Sequence, residues 1–229
     1  FDDAELRLLG RIHDAEQARQ AVRIVRDGGI ENVGVDLIYA IPGQTLDSWR
    51  ASLKEALDLG ICHLSCYALS FEPGTPLASE LRAREVDDLL QGDMYDLARE
   101  MISQVGFTHY EISNFARPGS VCRHNRTYWH NEPYVGIGPA AVGYVGGVRA
   151  KNPPDLPAYL QAIEAGDLPK ADTEHLTGRA EMAETLMLGL RLIQGIDRHR
   201  FAARFGEDPV DAFPQTVKRY AALGAVVVE

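Results

Sequence analysis

The side chains best suited to chemistry lie close together in one segment of the sequence, residues 109–143. The segment contains three histidines and one thiol: His109, His124, His130 and Cys122. It also contains the run His-Asn-Arg-Thr-Tyr-Trp at 124–129. Imidazole and thiolate groups bind zinc, iron–sulfur clusters and haem iron, so these residue types indicate metal chemistry without selecting the metal.

The spacing of these residues argues against a structural zinc site. Cys122 and His124 are two residues apart and His130 follows His124 by six, which matches none of the common structural zinc patterns. A catalytic zinc site needs only three protein ligands. A zinc hydrolase with His109, Cys122 and His130 as ligands therefore remains an alternative.

A flat aromatic ligand fits the run 124–129 better than zinc does. His124 offers an axial nitrogen to iron, the rings of Tyr128 and Trp129 offer stacking surfaces, and Asn125 offers orienting hydrogen bonds. A polar loop explains the same residues, with the histidine and asparagine satisfying buried backbone groups while the aromatic rings fill the core. From the residues alone, both interpretations remain open.

The elements around this segment indicate an α/β protein. Turn signals at 117–119 and 136–139 bracket the segment, and we expect an irregular functional loop between them. Two amphipathic helices follow the N-cap residues Asp14 and Thr45, and a third is predicted over 87–105. Strands are predicted at 33–41, 63–71 and 109–115. This alternation of helices with apolar strands is typical of a parallel sheet.

Asp36 interrupts the apolar run 33–41. An ionised carboxylate buried without a partner is costly, so we expect Asp36 to meet a cation, a donor or a ligand. A structural ion pair would account for it. A ligand would also account for it, because α/β barrels place their sites at the carboxyl ends of the strands.

The character of the sequence changes after residue 150. Lys151-Asn152-Pro153-Pro154 marks a boundary, and four helices and a final apolar strand at 225–228 are predicted beyond it. Helices followed by a strand suggest a small, mostly helical, winged-helix-like domain. Its last helix carries only Lys218 and Arg219 as cations, which favours packing or partner docking over DNA binding.

Composition and charge exclude several functional classes. The 229 residues are 45% hydrophobic with a net charge of −10, which argues against nucleic-acid binding. No apolar run is long enough for membrane insertion. The three cysteines suggest a reducing, cytoplasmic compartment. Cys62 and Cys66 fall in a predicted strand and are interpreted as small buried residues.

Five stretches of the sequence carry a resemblance to a known family: FDDAELRLLGRIHDAEQA, VDLIYAIPGQT, LSCYALSFEPGTPLA, HYEISNFARPGSVCRHNRTYW and ETLMLGLRLIQGID. In the same order they resemble the HemW family of radical SAM haem chaperones, long confused with oxygen-independent coproporphyrinogen III oxidase. The run 124–129 resembles the H-N-x-x-Y-W motif of that family. The resemblance therefore extends over nearly the whole chain.

The resemblance implies a fold and a domain division. Residues 1–150 correspond to the later units of a partial (β/α)6 TIM-like barrel. Residues 151–229 correspond to the C-terminal domain of HemW and HemN proteins, in truncated form. The first residue is not Met and the last residues, Ala225 to Glu229, form an apolar segment, so we expect a fragment of a longer protein.

The resemblance also implies ligands. Arg11 and Asp36 correspond to residues that contact S-adenosylmethionine (SAM) in such enzymes. The implied haem site is formed by four residues of the motif: His124, Asn125, Tyr128 and Trp129. The full-length family also carries a [4Fe-4S] cluster.

The sequence departs from the family pattern at two places. The cluster-binding C-x-x-x-C-x-x-C is absent, and Leu69 stands where a third cysteine would have to follow Cys62 and Cys66. Without the cluster, the chain alone is expected not to cleave SAM. Val142 replaces a histidine in the family's P-G-A-H pattern.

The implied function is to bind haem and deliver it to apoproteins. The first alternative is oxygen-independent coproporphyrinogen III oxidase, a porphyrin-biosynthetic enzyme of the sister group. The less favoured alternative is the zinc hydrolase.

Overall fold

The computed structural model describes residues 1–81, 86–168 and 170–229. The chain divides into two compact units, Phe1–Cys122 and Arg123–Glu229. Among the described residues, none of the helices combines the length and the apolar character needed to span a bilayer.

Unit 1 combines a small sheet with helices. In chain order its elements are α1 (Asp3–Leu8), α2 (Ala15–Asp27), β1 (Gly34–Tyr39), α3 (Leu46–Asp58), β2 (His63–Ala68), α4 (Pro76–Leu81), α5 (Asp88–Gln104), β3 (Thr108–Glu111) and β4 (Asn114–Ala116).

The N-caps predicted for unit 1 are confirmed. Asp14 begins α2 with a capping box in which its side chain accepts from the backbone N–H of Gln17. Thr45 begins α3 in the same way, with Ser48 as the reciprocal partner. These bonds satisfy donors that the first turn of a helix leaves free, which explains why the sequence signals located the helix starts.

The sheet of unit 1 has the order β1-β2-β4-β3. β1 and β2 are parallel, as predicted, with Asp36 opposite Ser65. The prediction of a single third strand at 109–115 is wrong, because the segment folds into the antiparallel hairpin β3–β4. β4 then pairs antiparallel with β2, placing Ser65 opposite Asn114.

One face of this sheet forms the core of unit 1. Leu37, Leu64 and Phe115 point to this face and are at most 7% exposed. Trp49 on α3 is fully buried against them, and its indole Nε1 donates to the backbone oxygen of Met94 on α5 at 2.8 Å. Burial of this face, which joins α3 and α5 to the strands, is the main apolar stabilisation of the unit.

Unit 2 begins with the motif segment. In chain order its elements are α6 (Arg123–Trp129), β5 (Val142–Val145), β6 (Val148–Lys151), α7 (Leu156–Glu164), β7 (Asp172–His175), α8 (Arg179–Gly189), α9 (Arg198–Phe205), α10 (Pro209–Ala212) and α11 (Pro214–Ala222). Its three strands form an antiparallel sheet in the order β5-β6-β7.

The final segment and the domain boundary differ from the sequence-based expectations. The strand predicted at 225–228 is wrong: these described residues are irregular, because a strand requires hydrogen bonds from a partner strand. The compact units divide after Cys122, since β6 pairs with both β5 and β7 and so joins residues on either side of position 150. The assignment of 1–150 and 151–229 to two family domains stays a prediction.

Candidate functional site

The H-N-x-x-Y-W run forms the short helix α6, which corrects the expectation of an irregular loop. Within it the Thr127 hydroxyl donates to the backbone oxygen of Arg123 at 3.1 Å. After the helix, Asn131 adopts a left-handed conformation with φ of 49°, and the backbone N–H of Glu132 returns to Thr127 at 2.9 Å. This arrangement satisfies the last carbonyl groups of the helix, and asparagine is one of the few residues that tolerate it.

His124 lies in the first turn of α6 and is exposed. Its ring packs edge-on against Tyr128, one turn later, with 4.8 Å between the ring centroids. Tyr128 in turn meets Tyr134 edge-on at 4.6 Å, and Tyr134 lies 6.4 Å from Tyr144 on β5. The structure thus brings two of the predicted haem residues together, at the end of a row of aromatic rings.

Trp129 makes different contacts from His124. The guanidinium carbon of Arg191 lies over the indole ring, 4.5 Å from the ring centroid. The indole Nε1 is buried and has no hydrogen-bond partner among the described residues. One face of the ring predicted to stack on a macrocycle is therefore covered by an arginine. Asn125 is half-buried on α6.

A polar network anchors the end of α6. Asn131 is 2% exposed, and its side-chain amide donates to the Thr185 hydroxyl on α8 at 2.9 Å. Arg204 on α9 donates to the backbone oxygen of Asn131 at 2.7 Å and to the Glu181 carboxylate at 2.6 Å. Glu181 also accepts a 2.9 Å hydrogen bond from the Tyr144 hydroxyl. Glu181 therefore links α8 and α9 with the hairpin that carries Tyr144.

The sequence did not identify Tyr134, Tyr144 or Glu181 as parts of this site. The three residues come from a loop, a strand and a helix, so no single periodic pattern connects them. The one available signal was the two tyrosines flanking the turn at 136–139.

Cations surround His130 at the C-terminal end of α6. Arg126 donates to His130 Nε2 at 3.2 Å, which requires that this nitrogen carry no proton. Burial lowers the pKa of His130, and the nearby charges of Arg200 and Arg126 lower it further. His130 is therefore a neutral residue at neutral pH, within a positively charged environment.

In unit 1, the two residues assigned to SAM are solvent-accessible. Arg11 is exposed in the turn between α1 and α2, and Asp36 is exposed on β1. The expectation that Asp36 is buried is wrong. Asp36 alternates with Leu37 along β1, and within this strand only the side that carries Leu37 and Tyr39 has buried side chains. No ion pair or hydrogen bond joins Arg11 to Asp36 among the described residues.

The face of the sheet that carries Asp36 is polar. His63 Nε2 and the Tyr110 hydroxyl are 2.8 Å apart on this face. Burial lowers the pKa of His63, and the charge of Asp36 acts in the opposite direction. Burial also raises the pKa of Tyr110, so at neutral pH the pair consists of a neutral imidazole and a protonated phenol.

The cysteines of the chain do not fit a [4Fe-4S] cluster. Cys66 is 2% exposed in the core, and burial raises its thiol pKa, which disfavours the thiolate that a cluster requires. Cys62 is half-exposed just before β2, and Leu69 occupies the third position. In residues 1–81, 86–168 and 170–229, no group of three His, Cys, Asp or Glu side chains is arranged to hold a metal ion.

The zinc hypothesis also lacks a ligand set in the described chain. His109 stacks on Phe115 with 4.4 Å between ring centroids, and its Nε2 lies 3.1 Å from the backbone oxygen of Ile112. Burial lowers its pKa. His109 thus packs as part of the β3–β4 hairpin. Val142, which replaces the histidine of the family pattern, pairs with Lys151 in the β5–β6 hairpin.

Comparison with known proteins connects this geometry to one family. Residues 176–229 match the family described as HemN C-terminal domain. The chain is 34% identical over 229 residues to "Heme chaperone HemW" of Bacillus subtilis (strain 168), covering 99% of this chain and 60% of that protein. It is 39% identical over 201 residues to the protein of that name from Synechocystis, covering 86% and 49%. The chain therefore spans about half to three fifths of the length of these relatives.

A solved structure confirms the fold class. The structure titled "Coproporphyrinogen III oxidase (HemN) from Escherichia coli is a Radical SAM enzyme" matches 98% of this chain and 55% of its own, with a TM-score of 0.80 at 21% identity. At that identity the likeness concerns the fold alone. The predicted α/β architecture, resembling the C-terminal part of a radical SAM barrel enzyme with a HemN C-terminal domain, is confirmed.

Proposed function

The chain belongs to the HemW family of radical SAM proteins, and from that premise we propose that this protein binds haem and delivers it to apoproteins that require haem. Relatives that are 34% and 35% identical to this chain are named heme chaperones, which favours this function over coproporphyrinogen III oxidation. The oxidase is similar at 21% identity and informs only the fold.

The observation that carries the proposal is the geometry of His124. Its imidazole is exposed in the first turn of α6 and packs edge-on against Tyr128. An exposed imidazole is a good axial ligand for haem iron, and an adjacent aromatic ring orients it and adds apolar surface for the macrocycle. Asn125 completes the proposed site on the same helix. Trp129 contributes an indole ring, one face of which is covered by Arg191.

Titration with ferric haem tests the haem proposal directly. The full chain is expected to produce a Soret absorption band at one equivalent of haem, and His124→Ala should weaken binding by about tenfold or more, since it removes an axial bond. His175→Ala is the matched control, because His175 is also exposed in unit 2, on β7. Equal affinities of the two variants would refute the role of His124.

The choice between chaperone and oxidase requires a second measurement. Haem-loaded protein is incubated with a haem-free acceptor protein, and transfer is followed by the loss of the Soret band from the donor. Turnover of coproporphyrinogen III by the longer family protein, without such transfer, would favour the oxidase instead.

We further propose that Arg11 and Asp36 contact SAM. Both side chains are exposed, and neither forms an ion pair in the described chain, so each is available to a ligand. Arg11→Gln and Asp36→Asn should each weaken SAM binding in equilibrium dialysis. Arg7→Gln, which changes an exposed arginine of α1, serves as the control. The [4Fe-4S] cluster that would supply radical chemistry has no ligands among the described residues.

The cellular setting is also a proposal. All three cysteines are unpaired in the structure, which supports a reducing compartment and hence the cytoplasm. The proposed partners are haem and the apoproteins that receive it.

A further inference from the structure

The turn that carries Arg11 is fixed to the end of helix α1. Gly10 has a left-handed φ of 67°, and its backbone N–H donates to the oxygen of Arg7 at 3.0 Å. The backbone N–H of Arg11 donates to the oxygen of Leu6 at 2.9 Å. These two bonds form a Schellman motif, which satisfies carbonyl groups at the end of a helix. The backbone position of Arg11 therefore follows that of α1.

Helix α1 is too short to be stable by itself. It has six residues, none of them buried, and isolated helices of this length do not persist in water. The position of α1 in the fold therefore depends on its contacts with other elements. One such contact joins α1 to α2, because the Asp3 carboxylate accepts from the backbone N–H of Ala15 at 2.9 Å.

A second contact joins α1 to the segment that follows β1. The Glu5 carboxylate accepts from the side-chain amide of Gln44 at 3.0 Å and from the hydroxyl of Ser48 at 2.8 Å. Gln44 is 4% exposed, in a turn closed by a 2.8 Å bond from its backbone N–H to the oxygen of Ile41. Glu5 thus holds α1 against the carboxyl end of β1, the end of a strand at which α/β barrels place their sites.

We propose that Glu5 is a positioning residue for SAM binding, because it places α1, and with it Arg11, at the end of β1. The inference rests on the proposed contact between Arg11 and SAM and deepens it by naming the group that orients this arginine. Glu5 itself is assigned no contact with the ligand, since its two oxygens already accept from Gln44 and Ser48. Without Glu5, SAM would have to fix the position of Arg11 as it binds, and that ordering weakens affinity.

A double-mutant cycle measured by equilibrium dialysis with SAM tests the inference. Glu5→Ala should weaken SAM binding by about threefold to fivefold, the order expected when one solvent-exposed ion pair is lost. In the Arg11→Gln background Glu5→Ala should cause no further loss, because the group that it places is absent. In the Asp36→Asn background the same factor should remain, because Asp36 lies on β1 and does not depend on α1. Glu5→Gln keeps one acceptor oxygen, so it should show the same pattern with a smaller loss.

Glu16→Ala is the matched control. Glu16 on α2 also accepts from two side chains, those of Arg19 at 3.0 Å and Arg23 at 3.4 Å, and its loss should leave SAM binding unchanged. An equal loss in Glu16→Ala would overturn the inference. Unchanged affinity in both Glu5 variants would do the same.

The two backgrounds separate positioning from a general loss of structure. If Glu5→Ala weakens binding equally with Arg11→Gln and with Asp36→Asn, the effect does not pass through Arg11 and the inference is wrong. If the unmodified chain binds SAM and Arg11→Gln binds it equally well, the proposed Arg11 contact fails and this inference with it. If the unmodified chain does not bind SAM, the contacts proposed for Arg11 and Asp36 both fail, while the proposal on haem is unaffected.

Discussion

Replacing Tyr144 with phenylalanine removes a single hydrogen bond from unit 2. Tyr144 is 1% exposed, and its hydroxyl donates to Glu181 at 2.9 Å. Burial raises the pKa of Tyr144 and the bond to Glu181 raises it further, so the phenol is protonated and able to donate throughout the neutral range. Phenylalanine preserves the ring and its packing, so the variant creates no large cavity.

The expected loss of stability follows from the partners that remain. A hydrogen bond to a charged group contributes about 1.5–3 kcal/mol when it is buried. The Glu181 side chain is 21% exposed and retains Arg204 at 2.6 Å, so water and the guanidinium offset part of the loss. We therefore expect the free energy of unfolding of unit 2 to fall by about 1–2 kcal/mol.

Hydrogen–deuterium exchange during a urea titration measures this loss unit by unit. Peptides from α8 report on unit 2 and peptides from α3 report on unit 1. With a urea dependence of about 2 kcal/mol per molar, the midpoint for α8 should fall by about 0.5–1 M while that for α3 stays unchanged. Tyr220→Phe, at an exposed tyrosine, should leave both midpoints unchanged. An unaltered α8 midpoint in Tyr144→Phe would refute the reasoning about Glu181.

Three further predictions concern unit 1. Trp49→Ala should lower the free energy of unfolding of this unit by about 3–5 kcal/mol, because the side chain is fully buried; a loss below 1 kcal/mol in urea titrations would contradict the packing described. The pKa of His63 is lowered from 6.5 by burial, so the unfolded chain binds more protons below that value and stability should fall as the pH drops from about 7 to 5. His63→Gln should flatten this dependence, and an unchanged slope would contradict it. In the native protein Cys66 should resist iodoacetamide at pH values where Cys122 reacts, because Cys66 is buried with a raised thiol pKa whereas Cys122 is half-exposed; peptide mass spectrometry measures both rates.

The sequence predicted those elements whose signals are local. The caps Asp14 and Thr45 located two helices, and the apolar runs located β1 and β2, because a capping side chain and a buried strand are specified by residues only a few positions apart. The alternation of helices and strands indicated an α/β protein, and the family motifs added the partial-barrel architecture, which no single element could supply.

The errors came from features that depend on distant partners. Asp36 was expected to be buried because its strand is apolar, yet the strand is packed on one face only. The β3–β4 hairpin turns at Ile112 and Ser113, which lack the glycine or asparagine that usually marks such a turn. Helix α6 contains residues with weak helical propensity, and residues distant in sequence contact it: Arg191 lies over Trp129, and Thr185 accepts from Asn131 directly after the helix.

The anchoring of Asn131 gives α6 one fixed end and one loose end. The fixed end is tied by Thr185 and Arg204, while none of the residues of α6 itself is buried. His124 lies in the first turn, farthest from these ties, where a short helix unwinds at the lowest energetic cost. If that turn unwound, a ligand bound to the His124 imidazole would be released without disturbing the rest of unit 2. Binding and release of the ligand would then depend on the same few residues.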